Sequence, residues 1–597
     1  MSFLALGEFV RYLESIGELQ RVRVEVNPRL EMTEIATRAL REQKPALLFE
    51  KVKGSQYPVV MNAYASDRRI EHALGRHPQQ IGEELIAFFE RVIPPSLSML
   101  WNERALLRRF VKARTRFVSS GPSQEFVLDP DLEKLPIQTC WPEDGGRFIT
   151  MGQVHTYDPR DGKRNIGMYR MQMHDKMSTG MHIQIERGGG VHYYQAERRH
   201  QALEVGVALG TDPALLLATI SALPEGIDEA MFAGFLRGEP TAMTRGKTIS
   251  VQVPANAEFI LEGVVPPSER KQEGPFGDHF GHYSGAGDFP VFHLRAITHR
   301  RNPVYPATVV GVPPMEDKFL GDATQQILGP LARLLHKEVK NLWAYYEAGF
   351  HNLLVVSVEE RYRKEAMKAA LGLLGTGQLS LTKCLVLVSH DVNPRDWRAV
   401  LGEIRDNFDP YYDFVLLPKV PLDTLDFTSY TMELGSKMIL DATRKADRKN
   451  SDADARHGQR PRKLNVQTST LRAMDRRISE ANLVENSLLI VKVKREGRAI
   501  VEKLVKRKEL QGVTLIAAVS DDVEITDQEN SIWGIFTRFD CERDLVFTHQ
   551  RLVGISPAYK GILGIDATWK KGYPNPLVMD EKIVKLVDGR WGQYWRT

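Results

Sequence analysis

The chain has 597 residues, 42% hydrophobic and 26% charged, with a formal net charge of +4; this length exceeds one hydrophobic core and calls for three or four domains of ordinary soluble composition. The small charge, with no basic helix interleaved with aromatics, leaves no footprint for nucleic acid. Cys140, Cys384 and Cys541 lie far apart with no CxxC pair, which argues against a disulfide framework or a cysteine-ligated zinc and fits a reducing, cytoplasmic setting.

The start, MSFLALGEFVRYLESIGEL, spaces apolar residues helically with Glu8, Arg11 and Glu14 between them. This is an amphipathic helix and not a signal peptide. No window reaches the roughly 18 apolar residues of a membrane span, and a peripheral membrane contact is the one membrane role left open. Residues 1–115 mix such helices with short strands, as at 46–49 and 59–61, and read as an α/β domain. From 116 to 310 short strands alternate with Gly and Pro turns (TMGQVHTYDP, KTISVQVP, AEFILEGVV, PVFHLRAITH), the pattern of a β-barrel or sandwich. One helix interrupts it, AMFAGFLRG, closed by Gly238. Glu229 opens that helix, and a favourable interaction with the helix dipole is enough to explain an isolated acid there.

Residues 311–445 alternate strand and helix (NLLVVSVEE, RKEAMKAALGLL, CLVLVSHDV, WRAVLGEIRDNF), the signature of βαβ units over a parallel sheet. Residues 446–482 are polar and charged and read as a solvated linker. The α/β pattern then returns over 483–597 as a second, degenerate copy. LLVVSV at 353–358 is echoed by LLIVKV at 488–493, VSHDV by VSDDV, NFD by RFD, and LDAT at 440–443 by IDAT at 565–568. Lys437, four residues before Asp441, has Ile562 as its counterpart. Trp533, Phe536 and Phe539 lie at near-helical spacing, as a contact face or as plain core.

Two runs could carry chemistry. In QEGPFGDHFG, Gly274, Pro275 and Gly277 forbid a helix and shape a loop holding Glu273 and Asp278 beside a histidine. A surface turn with two solvated acids is the alternative. In RNIGMYRMQMHDKMSTGMHIQIERGGGVHYYQ, strand alternation would put His182, Gln184 and Glu186 on one face, followed by a glycine turn. Such a face suits a divalent cation such as Mn²⁺ or a phosphate, or is simply the wet side of a half-exposed sheet.

Together these runs resemble the UbiD family of decarboxylases, which use prenylated FMN. The resemblance covers residues 1 to about 445 and rests on NxGxYR (Asn165, Gly167, Tyr169, Arg170), MHIQIERGGG (Met181 to Gly190), the glutamate before AGFLRG, EGPFGDH (Glu273 to His279) and GSKMxLDAT (Gly435 to Thr443). It implies an N-terminal α/β domain, a central split β-barrel of flavin-reductase-like type, and a C-terminal α/β domain. It also implies that Asn165 and Glu229 ligate Mn²⁺, with K⁺ a further candidate ion. The family's third ligand is a histidine, and here Glu186 stands in its place, with His182 as the next candidate. Met168, Tyr169, Arg170, His182, Ile183, Gln184, Arg187 and Gly188 would line the cofactor, and Lys437 would reach the flavin.

The resemblance further implies that Glu273, Asp278 and Arg170 form the catalytic acid–arginine–acid set. Asp278 would be the proton donor; as a buried acid beside a second carboxylate it is expected to have a raised pKa. The implied reaction is reversible, non-oxidative decarboxylation of an aromatic acid, as in ubiquinone or menaquinone precursors, or of an α,β-unsaturated acid. The implied partners are the small acid itself, a flavin prenyltransferase as cofactor supplier and further copies of the chain, as dimer or hexamer. An FMN oxidoreductase on the same barrel, or a non-catalytic assembly subunit, are the alternatives.

Overall fold

The amphipathic start folds as the helix Leu6–Ser15 and buries Leu6, Phe9, Val10 and Leu13, the stripe its spacing dictates. The structure is a computed structural model, and it describes the chain except residues 1, 93–100, 102–103, 105–107, 109–110, 112, 184–187, 224–225, 446–465 and 596–597. The chain divides into two units, Met1–Leu328 with Asn575–Thr597, and Gly329–Pro574.

In the first unit, Leu19–Val22, Ala46–Phe49, Val59–Met61 and Tyr305–Pro306 form a four-stranded mixed sheet. The largest sheet of the β-rich region has ten strands, all antiparallel. Its row runs Phe148–Ile149, Met171–Asp175, Ser178–Gly180, Gly287–His299, Phe259–Val265, Leu203–Leu209, Gln153–Tyr157 and Arg164–Met168; Phe126–Leu128 and Arg270–Glu273 also pair with Gly287–His299. Val205, Val207 and Leu209 are fully buried, and so are Ala208 and Ile260, which pack with Ile249, Val251 and Val253, so the centre of this sheet is covered on both faces.

The row cannot be flat. Arg164–Met168 and Met171–Asp175 stand six strand spacings apart, about 29 Å in a flat sheet. Only Tyr169 and Arg170 separate them in the chain, a reach of about 11 Å. The sheet therefore curls into a split half-barrel, and Arg170 sits in the seam.

Of the strand expected to align His182, Gln184 and Glu186, only the part at His182 falls on described residues, and it is not extended sheet. Ser178–Gly180 ends the strand and residues 181–183 are irregular, while Gln184, Glu186 and Arg187 lie outside the described residues. The glycines that were expected to make a turn begin a helix, Gly188–Arg198. Their missing side chains allow it: a Cβ on Gly188 would collide with Asn165 Oδ1, and one on Gly189 would meet the Tyr169 hydroxyl at 2.8 Å.

The second unit contains two sheets of one topology. The first has the order Val339–Ala344, Leu354–Val358, Cys384–Ser389, Leu434–Asp441, Phe414–Pro421. The second has Ile478–Val484, Leu488–Val493, Leu515–Val519, Ser556–Ala567, Leu545–Val553. Both pair antiparallel, parallel, parallel, antiparallel along the row. Leu387 faces Asp441 as Ala518 faces Asp566, so Lys437 and Ile562 hold equivalent places. The charged segment is shorter than expected, because the helix Thr468–Met474 and the strand from Ile478 already bury Leu471 and Ile478 in the second module. Trp533, Phe536 and Phe539 are buried. Phe536 lies edge-on to Trp397 at 5.9 Å, which makes this stripe a contact between the two modules.

Candidate active site

Three elements converge on the barrel seam. Arg170 comes from the two-residue link between strands, Glu273 ends the strand Arg270–Glu273, and Asp278 follows the short strand Phe276–Gly277. Arg170 Nε donates to Glu273 Oε1 at 3.0 Å and Nη1 donates to Asp278 Oδ2. The Glu273 side chain is fully buried and that of Arg170 is 8% exposed, so the pair sits where screening by water is weak. The guanidinium lies 4.8 Å from the Phe276 ring centroid, a contact that adds to holding it in place. The acids and the arginine singled out in the sequence are thus brought together.

His182 joins them, with Nδ1 3.0 Å from Glu273 Oε1 and its ring 4.2 Å from that of Phe289. His279, which the sequence places beside the acids without a role, touches Asp278 twice. Its backbone N–H donates to Oδ1 at 2.8 Å, and Nδ1 lies 2.8 Å from the same oxygen. Its adjacency in the GDHF run was the available signal. Asp144 and Trp141 carry no such signal: Asp144 Oδ1 accepts the Gly277 N–H at 2.8 Å, and Oδ2 accepts those of Cys140 and Trp141. Only the fold brings residues so distant in sequence beneath the Asp278 loop.

The expected raised pKa of Asp278 is corrected by this geometry. Burial is the largest influence and pushes the carboxyl up. The hydrogen bond from His279 and the charge of Arg170 outweigh it and hold Asp278 well below the ordinary carboxylate range. The aspartate is ionised at rest.

At the other end of the row, the helix Glu229–Arg237 meets the strand Arg164–Met168. Its N-cap is Asp228, whose Oδ1 accepts from the N–H groups of Ala230 and Met231. Glu229 is therefore not the cap; its Oε2 accepts the N–H of Ile166 at 3.1 Å, across to the barrel. Burial pushes Glu229 up to about 7 against that hydrogen bond, and the neighbouring Asp228 adds to the rise. Asn165 Nδ2 is buried with no hydrogen-bond partner among the described residues. The glycine-led start of Gly188–Arg198 lies against Asn165, and the Gly189 N–H donates to the Tyr169 hydroxyl at 3.2 Å. Met168 ends its strand half-buried, while Tyr169 and Ile183 are buried. The unpartnered Asn165 amide N–H and the helix N-terminus are donors that fit a phosphate, and Glu229, an acid of raised pKa beside them, fits a divalent cation. No group of three or more His, Cys, Asp and Glu side chains placed for a metal occurs among the described residues, and Glu186 lies outside them.

In the second unit Lys437 is 3% exposed and donates through Nζ to the carbonyls of Ser380 (2.6 Å) and Thr382 (2.8 Å). Its amine is engaged within its own module.

Domains of one family match along the chain in order. Those described as 3-octaprenyl-4-hydroxybenzoate carboxy-lyase N-terminal domain, Rift-related domain and C-terminal domain match residues 10–89, 116–313, and both 318–442 and 466–567. A relative in Chlamydia pneumoniae, named as one of the subunits of 4-hydroxybenzoate decarboxylase, is 36% identical over 606 residues, covering 100% of this chain and 99% of its own. Vanillic acid decarboxylase of Sedimentibacter hydroxybenzoicus in closed form superposes with a TM-score of 0.67 at 27% identity, over 76% of this chain and 94% of that one. An evolved dimeric form of the UbiD-class enzyme HmfF from Pelotomaculum thermopropionicum, in complex with prFMN, gives a TM-score of 0.61 at 29% identity, over 74% of this chain and 96% of its own.

Proposed function

This chain belongs to the UbiD family of carboxy-lyases, and from that premise we propose that it decarboxylates a hydroxyaryl carboxylic acid on prenylated FMN held with Mn²⁺. The observation that carries the reading is at Arg170. Its Nε and Nη1 are engaged by Glu273 and Asp278, and its buried Nη2 has no partner among the described residues. A buried donor left without a partner costs about 1–3 kcal/mol, and a substrate carboxylate would satisfy it with a charge-assisted bond. Hydroxyaryl acids are favoured over cinnamate-type acids because the relatives named for 4-hydroxybenzoate and vanillic acid act on that class.

Asn165, through Oδ1, and Glu229 would hold the metal, and the N-terminus of the helix Gly188–Arg198 would face the cofactor's phosphate. With His182 Nδ1 committed to Glu273, Glu186 is favoured over it as the third ligand. The flavin, when bound, supplies an electron sink for the charge left on carbon as CO₂ departs.

Decarboxylation breaks the bond to the carboxylate, releases CO₂ and requires one proton at the vacated carbon. Asp278 delivers it, after taking it up. A substrate carboxylate on Arg170 shares the guanidinium charge and raises the Asp278 carboxyl. His279, partly exposed with Nδ1 on Asp278 Oδ1, then passes a proton inward. The test is CO₂ release from a panel of hydroxyaryl acids, using protein expressed with and without a flavin prenyltransferase. Release is expected only with it. An oxidised-FMN spectrum and no CO₂ from any acid would favour the oxidoreductase reading.

A further inference from the structure

The hairpin that carries Asp278 is too small to hold itself. Phe276–Gly277 and Tyr283–Ser284 pair over two residues each, and an isolated two-stranded hairpin is marginal in water. Between the strands the turn closes from the Asp278 N–H to His282 O at 3.1 Å and from the Gly281 N–H to Asp278 O at 2.9 Å.

The end of the chain supplies a third strand. Asn575 O accepts the Tyr283 N–H at 3.2 Å, the Leu577 N–H donates to Gly281 O at 3.0 Å, and Pro576 bridges antiparallel to His282. The Asn575 side-chain amide reaches the Glu143 carboxylate at 3.2 Å. Gly277 has no room to move, because a Cβ on it would collide with the Trp141 ring and lie 2.9 Å from Leu577 Cδ2. The indole and Leu577 both crowd the residue just before Asp278.

The tail is itself tied down. After Leu577 the chain forms the helix Glu581–Tyr594, which packs on Glu31–Arg41. Arg590 Nη1 and the Tyr594 hydroxyl both donate to Glu31 Oε1, at 2.5 and 2.9 Å, and Arg38 pairs with Asp588 at 2.5 Å. Glu31 is 3% exposed, so this anchor is largely shielded from solvent.

We propose that Asn575, Pro576 and Leu577 are positioning residues for decarboxylation, a strap from the chain end that holds the Asp278 loop against Arg170. The proposal rests on Asp278 being the proton donor. A misplacement of even 1 Å in a reacting group costs up to about 10²-fold in rate, and Leu577 acts one residue from that group.

The test uses the full-length protein and Leu577→Ala, with Leu577→Met as the conservative rescue and Arg590→Ala as a change at the anchor, away from the loop. Hydrogen exchange of the Tyr283 amide needs no substrate or cofactor. It is expected to quicken about tenfold in Leu577→Ala, less in Arg590→Ala, and to return in Leu577→Met. With cofactor loaded, kcat should fall about tenfold with KM changed less, and the pH profile should be displaced, since Asp278 is less firmly held. Unchanged exchange overturns the strap whatever the activity. Quickened exchange with unchanged kcat and pH profile overturns its positioning role. If the parent releases no CO₂ from any acid, the functional reading fails, while the exchange measurement still decides the strap.

Discussion

Burial pushes two carboxyls of the half-barrel up, yet they end in opposite charge states. Asp278 is pushed up by burial but held well below the ordinary range by His279 and Arg170. Burial pushes Glu229 up to about 7, and the charge of Arg164, which is paired with Asp228 at 2.6 Å, offsets little of that rise. Which acid holds the nearest cation, not depth, decides the charge state. The Asp278 end is electrostatically complete, with its carboxylate ionised at rest. The Glu229 end is incomplete: its half-buried acid has a raised pKa and its neighbour Arg164 is held by Asp228, so a bound divalent ion would take up the carboxylate's charge.

The largest effect is expected from breaking the complete end. Asp278→Asn keeps the size of the side chain and removes the group that can carry the proton. CO₂ release should fall on the order of 10²-fold or more, with flavin content unchanged, because Asp278 does not belong to the Asn165–Glu229 cradle. A variant that keeps most of its activity would remove Asp278 from the donor role and leave His279 as the group to test.

The incomplete end should show itself through pH and metal. Glu229 has a folded-state pKa near 7 against an ordinary glutamate value of 4.5. The folded state thus holds a proton that the unfolded chain releases. That contribution to stability is fully present below about pH 4.5 and is lost as pH rises towards 7 and beyond. Mn²⁺ binds the ionised form and offsets the loss, so the rise in melting temperature on adding Mn²⁺ should grow between about pH 5 and 8. In Glu229→Gln it should be small and flat with pH. A rise independent of pH in both proteins would place the ion elsewhere.

Much of this was legible in the sequence because it is local. Glycine and proline breaks marked the Asp278 loop, short runs between Gly and Pro turns marked Gln153–Tyr157 and Phe259–Val265, and the IDAT echo marked the duplicated module. What depends on closure was not legible. The strand expected at His182 is irregular there, and the glycines expected to turn instead start a helix against Asn165 and Tyr169. The direction of the Asp278 shift follows from the His279 ring turned onto its carboxylate and from the charge of Arg170, a geometry that no spacing rule encodes. The last residues were assigned to the second module, whereas Asn575–Thr597 packs in the first unit. Its contacts with Glu31 and Gly281 span hundreds of residues.

The two modules of the second unit offer the gentlest test, because one shows what the other tolerates. Lys437 and Ile562 occupy the same strand position. Ile562 packs in a core with Val501, Leu504, Val505 and Ile516, whereas Lys437 donates to the carbonyls of Ser380 and Thr382. Lys437→Ile therefore puts in a side chain that this topology already accepts. It leaves two carbonyl groups without their donor, at about 1–3 kcal/mol each if they stay dry, and gains about 1.5–3 kcal/mol from burying an aliphatic chain. The net should be a loss of about 1 kcal/mol, read as a lower urea midpoint at unchanged slope, with flavin content kept. Flavin loss at unchanged stability would give Lys437 the cofactor contact that the family resemblance implies. A loss of both would mean that the first module needs its lysine in a way the second does not.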